Sequence, residues 1–303
     1  MFPDSSASRG AGSISYHSPP MGHRIVVTGA GGQLGKVLVR DLQKKHEVFA
    51  LTRESLDVAD REAARERVVK IRPSVVVNCA AYNDVDGAEE DPKAAFATNG
   101  FGVSALADAA AAADAIFIHF GSDFVFDGRA SRPYTEKDLP NPLGMYGASK
   151  LLGEVLAPRA PKYWILRLES VFGGEGRASS IGKMADMLAK GEPVQAFFDR
   201  TVTPSYVDDV SRTVQRLLER KLPWGLYHCV SSGTATWQEL ATELARMMGS
   251  RATISGISMD KAGLKAPRPS YCALSNNRLA DAGIELPDWR STLKRFVEAR
   301  TRH

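Results

Sequence analysis

The stretch Arg24-Ile25-Val26-Val27-Thr28-Gly29-Ala30-Gly31-Gly32-Gln33-Leu34-Gly35 decides how the chain is read. A run of β-favouring residues enters a glycine cluster. Leu34, Val37, Leu38 and Leu42 then recur at three- and four-residue spacings, the pattern of a helix with one apolar face. Strand, tight turn and helix follow one another with almost no chain between them. Gly29, Gly32 and Gly35 fit G-x-x-G-x-x-G, whereas G-x-G-x-x-G fails because position 34 is leucine. Such a turn lets a ligand approach the backbone and aims the free N–H groups of a helix N-terminus at an anion such as a pyrophosphate.

The same alternation continues outward. Glu47 to Leu51 reads as a second strand, and a charged helix starts near Asp60. Ser74-Val75-Val76-Val77-Asn78 is a short apolar strand of the kind that parallel sheets bury on both faces. An alanine-rich helix over roughly 91–113, a strand at 116–120, a helix from near Met145 and a strand at 163–167 complete the rhythm. It predicts an α/β fold: a Rossmann-type doubly wound parallel sheet with helices on both faces. In that setting the glycine turn reads as dinucleotide binding. After about residue 170 the alternation loosens. Thr236 and Glu239 read as a capping box, and Pro267, Pro269 and Pro287 interrupt the remainder. The expected organisation is a disordered Ser/Gly/Pro leader over 1–20, an NAD(P)-binding domain over 21–170 that later segments rejoin, and a smaller C-terminal substrate-binding lobe over 171–303.

Bulk properties exclude several classes of function. Among 303 residues, the formal charge of +4 is small and the basic residues are dispersed, so no nucleic-acid partner is implied. Cys79, Cys229 and Cys272 lack CxxC spacing, which argues against a zinc site or any other metal centre, and against a disulfide framework. A reducing, cytoplasmic location follows from that cysteine usage. No apolar run approaches the roughly 20 residues that span a bilayer, so no membrane partner is expected. A homodimer is compatible with all of this.

Chemistry concentrates at three further places. Tyr146 and Lys150 lie four apart at the start of a helix and so share a face. An ammonium beside a phenol lowers the phenol's pKa from about 10 toward neutrality, preparing it to exchange the proton that accompanies hydride transfer. Ser122, in Gly121-Ser122-Asp123, sits at the carboxyl end of the fourth strand, where doubly wound sheets bind ligands. Its hydroxyl can hold a carbonyl toward Tyr146. The second strand ends Ala50-Leu51-Thr52-Arg53, with arginine where NAD-selective sites carry an acid. Arg53 therefore favours the 2′-phosphate of NADPH, and the nearby Glu54 keeps NADH open.

The glycine turn, Asn78-Cys79-Ala80-Ala81, Ser122 and the Tyr146/Lys150 pair resemble an extended short-chain dehydrogenase/reductase. Val85-Asp86-Gly87-Ala88-Glu89, Ser122-Asp123-Phe124-Val125-Phe126-Asp127-Gly128, Gly225-Leu226-Tyr227-His228, Arg268-Pro269 and Leu286-Pro287-Asp288-Trp289 resemble the dTDP-4-dehydrorhamnose reductase family. The resemblance runs from Met21 to the C-terminus. It implies that Gln33 and Leu34 contact the cofactor pyrophosphate and that Asp57 and Val58 frame the adenine. Ala80, Ala81 and Tyr82 would line the nicotinamide side, with Asn99 nearby. Ser122, Tyr146 and Lys150 would be the catalytic group. Asn83, Val85, Asp123, Val125, Ser170 and Arg268 fall where the family meets its nucleotide-sugar substrate, sheet core being the alternative for the two valines.

The chain also departs from the pattern. Arg-Thr-Ser-Trp becomes Arg167-Leu168-Glu169-Ser170, so serine replaces the tryptophan expected against the sugar. Asp-Gln becomes Asp199-Arg200, and a serine in the C-terminal Arg-Pro-x-x-Ser stretch becomes Cys272. Sugar dehydratases place Asp-Glu after the catalytic hydroxyl, where this chain has Asp123-Phe124, so dehydration is disfavoured. The reading is NADPH-dependent reduction of the C4 ketone of a nucleotide-linked 6-deoxy-4-ketohexose, as in dTDP-rhamnose biosynthesis. The alternatives are a nucleotide-sugar epimerase and a non-catalytic NADP-binding subunit resembling the regulatory subunit of methionine adenosyltransferase.

Overall fold

Residues 22–174, 179–220 and 222–301 are described by the computed structural model; the leader assigned to 1–20 lies outside them. Strands β1 (Arg24–Thr28), β2 (Glu47–Leu51), β3 (Val75–Asn78), β4 (Ile116–Ser122) and β5 (Tyr163–Leu168) join the strand Gly225–His228 in one six-stranded sheet. All neighbours are parallel, in the order β2-β1-β3-β4-β5 followed by Gly225–His228. Every residue of β3 is buried, which is why Val75, Val76 and Val77 run on without polar alternation before Asn78. The chain starts in mid-sheet and winds first to one side, then to the other. The strand order thus reverses beside β1, and the reversal leaves a crevice at the carboxyl edge.

Helix α1 (Gln33–Leu42) buries Leu38 and Leu42 against one face of the sheet, with Val210, Val214 and Leu217 of the helix Val207–Arg220 in the same cluster. On the other face, α2 (Arg61–Ile71) packs Ala64 and Val68 with Leu106, Ala109 and Ala110 of the helix Gly102–Ala112. Asp60 caps α2 by accepting from the Ala63 amide at 3.1 Å. The alanine-rich helix expected over 91–113 is interrupted: Pro92–Phe96 passes through a π-turn at Ala97–Phe101 before Gly102–Ala112. Such a turn adds a residue to the helical repeat and is frequent at functional sites. It carries Asn99.

A third apolar cluster, including Phe172, Val202, Leu240, Trp289 and Phe296, makes the C-terminal lobe. Its two short sheets pair Val194–Phe197 with Ile254–Ile257 and Thr201–Val202 with Ala235–Thr236. The expected capping box is formed, with Thr236 Oγ1 accepting from the Glu239 amide and Glu239 accepting from the Thr236 amide.

Candidate active site

The carboxyl ends of β1, β3, β4 and β5 open into a cleft of ≈ 660 Å³, whose lining also includes Ile181, Arg200, Trp237 and Arg268 from later in the chain. A larger cleft of ≈ 980 Å³ lies behind α1 among Lys36, Arg40, Arg212 and Arg295, and it holds none of the chemistry.

The glycine turn forms one end of the smaller cleft. Gly29 has φ +62°, a left-handed conformation that glycine adopts without strain, and a Cβ there would meet the Ala80 amide at 2.5 Å. At Gly35 a Cβ would strike the Gly29 carbonyl oxygen. The first bond within α1 runs from the Lys36 amide to the Gly32 carbonyl at 3.0 Å, so the amides of Gln33, Leu34 and Gly35 precede it. Gly32 caps the helix without a side chain, and the first turn has no acidic residue. This cradle fits a pyrophosphate in shape and in sign. Gly32, Gln33, Leu34 and Gly35 all line the cleft.

Tyr146 and Lys150 rise from the helix Met145–Leu156 into the middle of the cleft, facing Ser122 at the end of β4. The Phe124 ring meets the Tyr146 ring edge-on at 5.3 Å, which fixes the phenol's position. Lys150 Nζ donates to the Phe120 carbonyl at 2.7 Å. Burial lowers the Lys150 pKa to about 8, against the opposing charge of Glu154. Burial pushes the Tyr146 phenol upward, the charge of Asp123 pushes it further, and the Ser122 hydroxyl pulls it back. Burial and the charge of Asp123, not Lys150, set the direction of the phenol's shift in this structure. The ammonium is engaged with Phe120, while a carboxylate faces the phenol in dry surroundings. A phenol held in its protonated form suits proton donation.

Beyond Ser122 the wall is charged. Ser122 Oγ donates to Asp123 Oδ1 at 3.1 Å and accepts from the Phe124 amide at 3.2 Å. Asp123, only 3% exposed, faces Arg200 Nη2 at 4.0 Å. Arg200 Nη2 in turn donates to Cys272 Sγ at 3.6 Å. Glu169 Oε2 accepts from the Thr203 amide at 2.7 Å and the Thr203 hydroxyl at 2.6 Å. Burial raises both Asp123 and Glu169 above the usual carboxylate range.

Ala80, Ala81, Asn83, Val85, Ser170 and Arg268 also line the cleft. Arg268 pairs with Asp86 through two bonds of 2.9 Å, tying the C-terminal segment to the loop after β3 and holding Asp86 down at about 2. Other expected residues stand elsewhere. Val125 is wholly buried with Phe126, Val230 and Leu274, so it is core, not cleft wall; the apolar environment takes it inward. Val58 is likewise core, packed near Leu56 and Val103. Asn99 works behind the wall: Oδ1 accepts from the Tyr82 amide at 2.8 Å, and Nδ2 donates to the Tyr82 carbonyl and to Ser149 Oγ. Tyr82 is thereby pinned to the helix of Tyr146 without lining the cleft. Arg53 stands at the tip of β2, outside the cleft wall, with its side chain 89% exposed and 3.7 Å from Asp57. Glu54 accepts from Thr52 Oγ1 at 2.9 Å.

Several cleft residues, Ser179, Ser180, Ile181, Arg200 and Trp237 among them, are not singled out as site residues by the sequence. Arg200 was noted only as a departure and Trp237 only as the neighbour of a helix cap, yet both line the cleft.

Strand order, glycine turn and the convergence of Ser122, Tyr146 and Lys150 define a nicotinamide-dependent reductase of the extended short-chain class. The chain belongs to the family described as the RmlD substrate binding domain, whose pattern matches residues 23–302. It is 34% identical to the spore coat polysaccharide biosynthesis protein SpsK of Bacillus subtilis, over 92% of this chain and 98% of that protein. It is 36% identical to dTDP-4-dehydrorhamnose reductase of Mycolicibacterium smegmatis, over 92% of this chain and 86% of that one. Among solved structures, dTDP-4-dehydrorhamnose reductase from Bacillus anthracis in complex with NADP superposes with a TM-score of 0.88 at 29% identity, covering 92% of this chain and all of that one. No helix among the described residues is long and apolar enough to cross a membrane.

Proposed function

We propose that the protein reduces the C4 ketone of a nucleotide-linked 6-deoxy-4-ketohexose, as dTDP-4-dehydrorhamnose reductases do, with NADPH as the preferred cofactor. The observation that carries the proposal is the convergence of Ser122, Tyr146 and Lys150 on one cleft, in a chain of this family. When bound, the reduced nicotinamide supplies the hydride. Tyr146 donates the proton to the ketone oxygen as charge develops there. Ser122 exchanges its bond to Asp123 for one to the same oxygen, and so orients the carbonyl. Lys150 spends one N–H on Phe120 and keeps two for ligand oxygens. The cradle of Gln33, Leu34 and Gly35 would hold the pyrophosphate, and the exposed Arg53 would turn to a 2′-phosphate. Asn83, Val85, Ser170 and Arg268 form the sugar-nucleotide side, where remote binding energy positions the reacting carbon.

The same reading assigns the protein to the cytoplasm, in keeping with its three free cysteines, and is compatible with a homodimer. The test is a panel of nucleotide-linked 4-keto sugars and simple ketones with NADPH. Activity confined to simple ketones would remove the nucleotide sugar while leaving the oxidoreductase.

A further inference from the structure

Glu169, Arg200 and Cys272 are far apart in the sequence, and each stands where the family pattern has a different residue. In the fold they meet around Asp123: one polar atom each of Asp123, Glu169 and Cys272 lies within 4.8 Å of the others, and Arg200 reaches both Asp123 and Cys272. The cluster leaves three polar atoms buried with no hydrogen-bond partner among the described residues: the acceptors Asp123 Oδ2 and Glu169 Oε1, and the donor Arg200 Nε, whose guanidinium stands 4.0 Å from Asp123 Oδ2 without bonding it. Orphaned acceptors in a dry site are costly and call for a donor. We propose that Asp123 and Glu169 share a single proton beneath the reaction site, and that Glu169 is a positioning residue which sets the charge Asp123 presents to Tyr146.

One proton answers both acceptors. Glu169 Oε2 already accepts two bonds from Thr203, so it is the poorer place for a proton, which belongs on Oε1. From there it is donated toward Asp123 Oδ2. Two buried carboxyls this close resist double ionisation, and burial with mutual repulsion keeps Glu169 well above the usual range. Among the described residues, the other titratable or charged groups facing the pair are Arg200 beyond the strand Val194–Phe197, Tyr271 and Cys272 from the C-terminal segment, and Tyr146 from its helix. With the proton in place, Asp123 and Arg200 balance and the cluster is neutral. Loss of the proton adds a negative charge beneath Tyr146, so the phenol holds its own proton harder and delivers it more slowly. The arginine and the glutamate thus enter this chain as a matched set. The positioning role rests on the reduction proposed above, whereas the shared proton does not.

Infrared difference spectra of the full chain at neutral pH, wild type minus Glu169→Gln, should show the carbonyl band of one protonated carboxylic acid, fading as the pH rises. Arg200→Gln removes the facing cation and should carry that band about one pH unit higher or more; it also keeps the test decisive if Glu169→Gln fails to fold. With a turned-over substrate, Glu169→Gln should hold its kcat to higher pH than wild type, while KM stays within about twofold. A wild type without the band, or a band that survives Glu169→Gln, overturns the shared proton. Superimposable kcat profiles overturn the positioning role. If no nucleotide sugar is turned over, the reduction fails and takes the positioning role with it, while the infrared result still decides the proton.

Discussion

Lys150 Nζ is bonded across 2.7 Å to the carbonyl oxygen of Phe120, two residues before Ser122 on the same strand. The contact locks the helix that carries the proton donor to the strand that carries the carbonyl-binding hydroxyl. The lock costs stability because the ammonium is buried.

That cost has a pH signature. The folded pKa of about 8 lies below the reference of 10.5, so between those values the unfolded chain binds more protons and stability contributed by this group rises with pH. Below about pH 8 the full penalty stands, roughly 3 kcal/mol from the size of the shift. Lys150→Met removes it and loses one hydrogen bond of about 1 kcal/mol. The variant should therefore be inactive yet more stable than wild type at neutral pH, with the advantage shrinking toward pH 10.5. Melting temperatures against pH check this; a variant less stable at every pH contradicts the buried-charge account.

Tyr146→Phe should bind NADPH as wild type does, since one oxygen is lost, and drop turnover by roughly 10²–10⁴-fold as general acid catalysis disappears. Turnover near wild type would remove Tyr146 from the reaction.

Arg53 stands exposed at the tip of β2, in a loose 3.7 Å contact with Asp57. Loose surface pairs contribute little, so the guanidinium is free to turn to a phosphate. Arg53→Ala should weaken NADPH by about tenfold or more and leave NADH nearly unchanged. Titration calorimetry with both cofactors decides it, and equal losses would return Arg53 to the solvated surface.

Ser170 lies on the cleft wall with φ +45°, a backbone conformation unusual for a residue with a Cβ. The space left by the missing tryptophan should admit a broader set of hexuloses. Ser170→Trp should narrow that range, shifting the kcat/KM ratio between two 4-ketohexoses by about tenfold and chiefly through KM. An unchanged ratio means that this position does not read the sugar.

The sheet was legible because period and composition agree: the all-buried β3, the apolar face of α1 and the start of α2 near Asp60 follow from local rules. The glycine turn, Ser122, Tyr146 and Lys150 were legible because their chemistry and order are distinctive. The π-turn at Asn99 was not, since an alanine-rich helix gives no local sign of one extra residue. The cluster of Arg200, Asp123 and Glu169 was not either. It depends on segments that meet only after the lobe folds over the sheet, and single-sequence spacing carries no such pairing. The ion pair of Arg167 and Glu154, buried at 2.7 Å, escaped for the same reason. Of the two readings open for Val125, the structure takes the core one, because a family motif fixes a position along the chain and not the side from which its side chain is buried.

The most direct measurement of the central claim follows NADPH absorbance with purified protein and dTDP-4-dehydrorhamnose, with its GDP- and UDP-linked relatives in parallel, while the sugar product is quantified. The account predicts stoichiometric oxidation, one NADPH for each C4 alcohol formed on a nucleotide-linked 6-deoxyhexose, and none with Tyr146→Phe above its residual rate. Interconversion of sugars without net NADPH consumption, or no turnover of any nucleotide-linked 4-ketohexose, would contradict it.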